Sequence, residues 1–477
     1  MSFLIVLLIF TKMKKYKAVF TLFVILISFI GCKDSSDIKP DELHYENNHI
    51  TRLLSLNYLN DEYYLFFQES QNSGRKLGLL RSKNGVKWNN VELTNQPDSL
   101  YRNGCCCIVN DFMNSSGLSE QKDLMLLFNL EQDKIKISYS EDLGVNWTSK
   151  KDSIVIKNSY KDILNMKIVR DEAEDMWIML LVRNFSVDFF KSPDLLNWEY
   201  CSSFSKNRID RGGNWNTIDF YPVKIAESSE LKWSLVIGNT QGAPNYGYGA
   251  QYFVGDFKNF KFETNEDVKW LDAGTDFFYP IVMSDYLQKG LSPTMIARVD
   301  YSNKLSLLRT FDIKYKFGEY HFESSPVYNS DHFEMNLNRI PPGVINGNIE
   351  IEKTFKLPVE IVLNFNMVNR KYLDFAKSFG LILDNEQGDK IVVGYHNYNR
   401  YFYIFNNDEI FYAPAVLDND EVNFRVVIDK DCIEFYSANG LTSMVKLYKT
   451  SSPLTRYSVF SEDGTMTLKN GSISDFK

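Results

Sequence analysis

The strongest constraint on the fold of this chain is a short string that recurs along it. Each copy is a Ser, a polar turn and a Trp; the copies span Ser82–Trp88, Ser140–Trp147 and Ser192–Trp198, and their Trp positions lie 59 and 51 residues apart. Weaker aromatic echoes, Phe253–Phe260 and Phe311–Phe322, each end 62 residues further on. Hairpin turns between alternating apolar runs at such a period are typical of radial β repeats. The sequence therefore predicts a five-bladed β-propeller, with a β-sandwich of similar turns as the alternative.

Chain length and one loop-rich segment divide the sequence in two. A chain of 477 residues is too long for one ordinary hydrophobic core. Short strands and polar turns run from Ile50 to about His332, and the Pro- and Gly-containing segment Arg339–Gly347 interrupts them. Many short alternating runs follow, as a two-sheet sandwich requires. The predicted fold is all-β: a five-bladed β-propeller over 44–338 followed by a C-terminal β-sandwich over 339–477.

The first 31 residues have the features of a bacterial lipoprotein signal peptide. Lys14 and Lys15 precede the apolar run Val19–Ile30, which is short for a membrane span. The run ends in Phe29 and Ile30, and Gly31 and Cys32 come next. These four residues together resemble a lipobox. We expect lipid attachment at Cys32, a flexible tether over 32–43, and a location in the bacterial cell envelope on the outer membrane. Periplasmic and surface orientations stay open, and an uncleaved membrane anchor is the alternative.

Composition narrows the choice of ligand. The formal net charge is −8 with a pI near 5.4, and outside the N-terminus there is no basic cluster, which argues against nucleic acid as a partner. Aromatic residues make up 15% of the chain and favour strands and surfaces that stack on flat ligands such as sugars. Cys105, Cys106 and Cys107 are consecutive, so on a strand they alternate faces and cannot jointly hold a metal. We predict neither a metal nor a cofactor.

Several strings resemble motifs of glycoside hydrolase family 32, the fructan hydrolases and invertases. They follow one another in family order over most of the chain, at Leu77–Trp88, Asn114–Leu118, Gln251–Phe257, Trp270–Phe277 and Ile428–Phe435. The resemblance implies a five-bladed propeller joined to a β-sandwich, which agrees with the repeat. It also implies retaining glycoside hydrolysis, which needs a carboxylate nucleophile and an acid/base about 5–5.5 Å apart. A third carboxylate in this family binds sugar hydroxyls.

None of these three carboxylates is present at the matching positions. Counting back from Tyr63–Gln68 places Arg52 where the family has its nucleophilic Asp. The stabilising Asp of the R-D-P motif is matched by Asn165, twelve residues before Trp177. In W-E-C-P-D-L-F-P the acid/base Glu is matched by Asn216.

These replacements argue against hydrolysis by the family mechanism. An Asn amide neither titrates near neutral pH nor acts as a nucleophile. Arg52 is worse than neutral, because a cation about 4 Å from an oxocarbenium-like transition state repels it by ~4 kcal/mol at an effective dielectric of 20. That repulsion corresponds to about a thousandfold in rate.

The same positions can still bind a sugar, since guanidinium and amide groups bond to hydroxyls. We predict a carbohydrate-binding set that also includes a pocket Gln, a stacking Trp and the Asp that follows the acid/base position; its members are Arg52, Gln68, Asn165, Trp215, Asn216 and Asp219. Ordinary strand packing is the alternative for Gln68 and Trp215.

The predicted function is a lipid-anchored, catalytically silent binder of a fructan or other glycan. One alternative is an active glycoside hydrolase acting through a relocated site, with Asp219, Asp111, Asp276 or Asp210 recruited. Another is a structural propeller that binds a protein partner of the envelope and no sugar.

Overall fold

The structure is a computed structural model, and it describes most of the chain beyond residue 41. The described ranges are 42–47, 49–71, 74–97, 105–120, 123–131, 134–155, 163–183, 185–205, 214–226, 228, 230–283, 286–287, 289–299, 304–328, 335–351, 354–367, 375–417, 421–437 and 439–476. Within these ranges no helix is long and apolar enough to cross a membrane. The predicted signal peptide and Cys32 lie outside the described residues.

In the described part of the chain before residue 327, twenty-three strands form five sheets, one after another. The first three sheets are β1 (Ile50–Leu59), β2 (Glu62–Gln71), β3 (Gly74–Ser82) and β4 (Asn89–Val91); β5 (Cys105–Asp111), β6 (Leu124–Glu131), β7 (Lys134–Ser140), β8 (Thr148–Ser149) and β9 (Ile154–Val155); and β10 (Asn165–Asp171), β11 (Met176–Arg183), β12 (Ser186–Ser192) and β13 (Glu199–Ser205). The last two are β14 (Trp215–Lys224), β15 (Leu231–Asn239), β16 (Gly249–Lys258), β17 (Lys261–Glu263) and β18 (Lys269–Trp270); and β19 (Phe277–Val282), β20 (Thr294–Val299), β21 (Lys304–Leu305), β22 (Arg309–Lys316) and β23 (Glu319–Pro326).

The five sheets are the blades of a propeller, which confirms the predicted architecture. Strands β1, β5, β10, β14 and β19 each begin a blade, and each contacts the first strand of the next blade until β19 meets β1. These inner strands run in the same direction, as the parallel bridge between Leu56 and Met283 shows for the closing pair. All five inner strands therefore begin at one end of the ring.

The recurrent strings form the turn between the third and fourth strands of their blades. In blade one the Asn84 side chain accepts hydrogen bonds from the backbone of Val86 and Lys87, and Ser82 accepts one from Gly85. Blades two and three repeat this arrangement with Asp142 and Asp194. The two aromatic echoes span the equivalent hairpins, β16–β17 and β22–β23. The repeat in the sequence is thus a repeat of turn chemistry.

The C-terminal strands form one sheet that folds over itself into a nearly closed sandwich. They are β24 (Met335–Ile340), β25 (Gly343–Ile351), β26 (Val359–Asn366), β27 (Ser378–Asp384), β28 (Lys390–His396), β29 (Tyr401–Asn406), β30 (Glu409–Pro414), β31 (Glu421–Ile428), β32 (Cys432–Ser437), β33 (Ser443–Leu447) and β34 (Arg456–Phe476). Strand β34 pairs with β27 through its first seven residues and with β26 through its last part, so it belongs to both layers. The predicted sandwich is confirmed, although neither β24 nor β30 was expected.

Buried charges join the propeller to the sandwich. Arg309, on the third strand of blade five, donates to Asp272 at 2.9 Å and to Glu434 of β32 at 3.0 Å, and the guanidinium lies over the Phe277 ring. His44 contacts both Asp429 and Glu434 at 3.0 Å. All of these ionic side chains are buried. The preceding residue, Leu43, was expected in the tether but is also buried.

Candidate functional site

The three altered positions lie at the same end of the propeller ring. Arg52 is the third residue of β1, Asn165 opens β10, and Asn216 is the second residue of β14. The first residues of β5 and β19 complete this end, at Cys105 and Phe277. We call the end of the ring at which the five inner strands begin the funnel.

Blade one contributes a guanidinium pair and a buried amide. Arg52 is directly opposite Gln68 in the β1–β2 register, so their side chains share one face of the blade. Arg75 on β3 donates from Nη1 to Gln68 Oε1 at 3.0 Å. Arg298 of blade five donates to the Thr51 carbonyl at 2.6 Å and so fixes the backbone just before Arg52. Arg75 was not among the residues expected from the sequence.

Two cysteines of blade two lie next to these arginines. Cys105 and Cys107 belong to one core cluster and Cys106 to another, so the three side chains alternate faces as predicted. Burial raises the pKa of Cys106 to about 11, even though Arg52 and Arg75 act in the opposite direction. Burial likewise raises the pKa of Cys105, and Arg52 again opposes the shift. Both thiols are therefore neutral at physiological pH.

Blades four and five meet at a hydrogen bond between Asn216 and Tyr279. The Asn216 amide nitrogen donates to the Tyr279 hydroxyl. Tyr279 has a backbone φ of 51°, a left-handed conformation that is costly for an aromatic residue, and β19 has a register shift at this point. Such strain often marks functional sites. Tyr279 could not be found from the sequence, because a strained backbone has no composition signature for a residue other than Gly.

The other two residues of the predicted set near this end differ in their surroundings. Asn165 is 7% exposed, and its Oδ1 accepts a hydrogen bond from the Met166 backbone at 2.7 Å. Trp215 is 5% exposed and packs against Phe185, Phe204 and Phe253. Its ring is part of the core between blades, so the predicted stacking face is wrong and the strand-packing alternative applies.

Asp219 is separated from Asn216 and serves a structural ion pair. Its carboxylate is 1% exposed, contacts Lys167 Nζ at 3.0 Å, and accepts from the backbone of Val282 at 2.7 Å and of Phe220 at 2.8 Å. These contacts link β10, β14 and β19. Asp219 also lines a pocket whose walls come from the later parts of the same three strands and from the beginning of β15. That pocket therefore lies toward the opposite end of the ring from Asn216.

The other acids considered for a relocated site are also engaged. Asp111 is fully buried and accepts from the backbone of Ser115 at 2.7 Å and of Ser116 at 2.8 Å, which closes the turn after β5. Asp276 accepts from Lys446 at 3.1 Å and from the Leu447 backbone at 2.9 Å, at the border with the sandwich. Asp210 lies outside the described residues.

Metal binding has no candidate site in the part of the chain that the structure describes. No three side chains of His, Cys, Asp or Glu converge there as metal ligands would. The funnel instead presents guanidinium, amide and phenol groups, which are hydrogen-bond donors suited to sugar hydroxyls and to anions.

The architecture is a propeller fused to a sandwich, and comparison with known families identifies the class of protein that has it. The glycosyl hydrolases family 32 N-terminal domain matches residues 48–311, and the glycosyl hydrolases family 32 C-terminal domain matches residues 327–475. The chain therefore belongs to glycoside hydrolase family 32, as its motifs suggested.

Individual relatives include both bacterial and yeast proteins. A levanase of Bacillus subtilis is 29% identical over 57% of this chain, and a levanase of Bacillus sp. (strain L7) is 22% identical over 80% of it. The matched regions cover only 43% and 46% of those two levanases, so the chain spans about half their length. An invertase of Debaryomyces hansenii is 23% identical over 72% of this chain and 73% of its own length.

Solved structures show the same fold at low sequence identity. A β-fructofuranosidase from Schwanniomyces occidentalis complexed with fructosyl-erythritol aligns with a TM-score of 0.80 at 20% identity, over 91% of this chain and 97% of that one. An exo-inulinase from Aspergillus awamori aligns with a TM-score of 0.76 at 16% identity, over 92% and 98%. These likenesses concern the fold, and together with the family they connect the chain to carbohydrate chemistry.

Proposed function

We propose that this protein is a lipid-anchored family 32 member that binds a fructan or another glycan without hydrolysing it. The observation that carries the proposal is the set of side chains where the inner strands begin: a guanidinium in blade one and carboxamides in blades three and four, at Arg52, Asn165 and Asn216. The scaffold around them has the fold of solved structures that include the fructan 1-exohydrolase IIa of Cichorium intybus.

The chemistry of these groups favours binding over catalysis. Retaining hydrolysis requires one carboxylate to attack the anomeric carbon and a second group to protonate the departing oxygen. Neither an amide nor a guanidinium performs either step near neutral pH. Both groups form hydrogen bonds with hydroxyls, so a ligand site can persist after the acids are lost.

The relocated hydrolase is less favoured, because each described acid considered for it already has structural partners. The two carboxylate oxygens of Asp219 and of Asp111 are all hydrogen-bonded, and Asp276 is held by a lysine of the sandwich. An Asp that donates a proton or attacks a sugar has to face the ligand.

The test combines a hydrolysis assay with a binding assay on the whole chain. Levan, inulin and sucrose are incubated with the protein and released sugar is quantified, while isothermal titration measures binding to levan and inulin oligosaccharides and to other glycans. We expect binding to at least one glycan and no released sugar. Sugar release that disappears in Asp219→Asn, while circular dichroism shows that the variant is still folded, establishes the relocated hydrolase; silence across the whole glycan panel removes carbohydrate binding.

A gain-of-function variant provides the matched control. The triple variant Arg52→Asp, Asn165→Asp and Asn216→Glu restores the family acids on an unchanged scaffold. We expect it to release fructose at a rate above that of the unmodified protein. An Arg52→Gln variant, which removes the cation without adding an acid, is expected to stay inactive.

The lipid anchor has its own test. Cells that express the full chain are fed a fatty acid with a clickable tag, and the protein is then examined for label and fractionated with membranes. We expect label in the unmodified protein and none in Cys32→Ser. Label that persists in that variant would contradict attachment at Cys32.

A further inference from the structure

The two arginines of blade one have no acidic partner in the described structure. Neither Arg52 nor Arg75 forms an ion pair with any described residue. Other arginines of the described part do pair with acids; these are Arg81, Arg170, Arg183, Arg309, Arg425 and Arg456. Burial and the charge of Arg52 together lower the pKa of Arg75, so the two like charges lie near enough to repel each other.

The amide of Gln68, which lies opposite Arg52 and accepts from Arg75, has a hydrogen-bond donor without a partner. Gln68 is fully buried, and its Oε1 faces Arg75 because only oxygen can accept from a guanidinium. The Nε2 group therefore points away from Arg75, and it has no hydrogen-bond partner in the described structure. A buried polar group without a partner is unusual and disfavours folding unless a ligand satisfies it.

Nothing described nearby balances the two positive charges. Cys105 and Cys106 are the other ionisable groups in electrostatic contact with these arginines, and burial keeps both thiols neutral. The family motifs have carboxylates at the positions of Arg52, Asn165 and Asn216, and carboxylates would repel an anion. Here the local charge has the opposite sign.

We infer that the funnel binds a glycan that carries an oxyanion, a carboxylate or a sulfate, which is held by Arg52, Arg75 and the Nε2 group of Gln68. This inference rests on the proposed carbohydrate binding. Guanidinium groups match the planar geometry of a carboxylate and bind sulfate oxygens equally as charge-assisted donors. The Gln68 amide supplies a third donor, and the Asn216 amide binds the sugar hydroxyls.

The first experiment compares acidic with neutral glycans. Isothermal titration is run with a galacturonate oligosaccharide, a sulfated oligosaccharide, and neutral levan and inulin oligosaccharides of equal length. We expect one of the acidic ligands to bind at least about tenfold more tightly than either neutral one, a ratio typical of one charge-assisted hydrogen bond. The galacturonate and sulfated ligands distinguish the two sources of the oxyanion.

Variants then assign the binding to the two arginines. Arg52→Gln and Arg75→Gln should each weaken acidic-glycan binding about tenfold or more. The matched control is Arg81→Gln, which removes the same charge from the same strand β3 but at an exposed pair with Glu62. It should leave the affinity within about twofold, because the Arg81 side chain is 42% exposed and its charge is screened by solvent and salt.

A second variant tests the site without any ligand. Gln68→Glu places a carboxylate of the same shape between the two guanidiniums, so it should raise the midpoint of thermal unfolding while weakening acidic-glycan binding. If the arginines were already neutralised, the new buried carboxylate would lower the midpoint, and that outcome would overturn the inference.

The results distinguish failure of the oxyanion site from failure of carbohydrate binding as a whole. Neutral glycans that bind as well as acidic ones, with no effect of Arg52→Gln or Arg75→Gln, refute the oxyanion site and leave carbohydrate binding in place. Failure of every glycan to bind refutes both.

Discussion

Replacing Arg309 by Met tests how the propeller and the sandwich are held together. The guanidinium is 1% exposed and donates to Asp272 and Glu434, whose side chains are fully buried. Burial alone would raise the pKa of Glu434, yet Arg309 and His44 hold it at about 2. The difference from its ordinary value of 4.5 corresponds to about 3 kcal/mol. Loss of one partner of a buried ion pair typically costs 3–5 kcal/mol, so we expect Arg309→Met to lower the free energy of unfolding by about that much.

The pH dependence identifies the cause of this loss. Because the folded pKa of Glu434 lies below the unfolded one, its contribution is complete above pH 4.5 and is lost as the pH falls toward 2. The difference between the unmodified protein and Arg309→Met should therefore shrink below about pH 4, where a protonated Glu434 no longer needs the guanidinium.

Urea unfolding followed by circular dichroism measures both effects. A triple variant that adds Asp272→Asn and Glu434→Gln removes the stranded charges together with their partner and should recover much of the lost stability. A loss below about 1 kcal/mol, or one that is unchanged between pH 7 and pH 3, would refute the reasoning from buried charge.

Three further predictions concern single side chains. His44→Ala should lower the unfolding free energy by about 2–4 kcal/mol near neutral pH, since it removes the imidazole that contacts the buried carboxylates of Asp429 and Glu434. Burial alone would lower the pKa of His44, but Cys432, Asp429 and Glu434 together raise it well above 6.5, so the stabilising contribution of His44 is complete below pH 6.5 and is lost as the pH rises through that raised pKa. Urea unfolding at pH 6 and pH 9 checks this. Gly144→Ala should cost more than about 1 kcal/mol by thermal unfolding, because a Cβ there would lie 2.4 Å from Phe66 at a φ of 93°, whereas Gly117→Ala faces open space and should cost less. Asp219→Asn should destabilise the fold by about 3 kcal/mol in urea by stranding Lys167; a neutral result would show that this pair does not hold the inner strands.

Much of the propeller could be predicted because its signals are local. In blades one to three, the turn after the third strand depends on a Ser and an Asn or Asp whose side chains accept backbone hydrogen bonds, and these residues recur in the sequence. Strand β30 was missed because it is a short edge strand, and only the run 457–461 of β34 was predicted, because most of the remaining length is polar and lacks alternation. Its pairing is set by distant strands and not by its own pattern.

The site was predicted only in part, for a related reason. Family motifs located Arg52, Asn165 and Asn216, and all three begin inner strands. The approach of Arg75 and the cysteines of β5 to Arg52 depends on how neighbouring blades pack, which no local pattern encodes. The role of Trp215 was misread because a ring that stacks on a sugar and a ring in a core give the same sequence signal.

The shared strand of the sandwich has a consequence for how that domain opens. Since β34 is hydrogen-bonded to β24, β25, β26 and β27, neither layer can separate from the other without breaking that strand's ladder. Amide protons on the two layers should therefore exchange with solvent in one cooperative event, at a common opening free energy. A substitution on one layer should then change the protection of amide protons against exchange equally on the other layer.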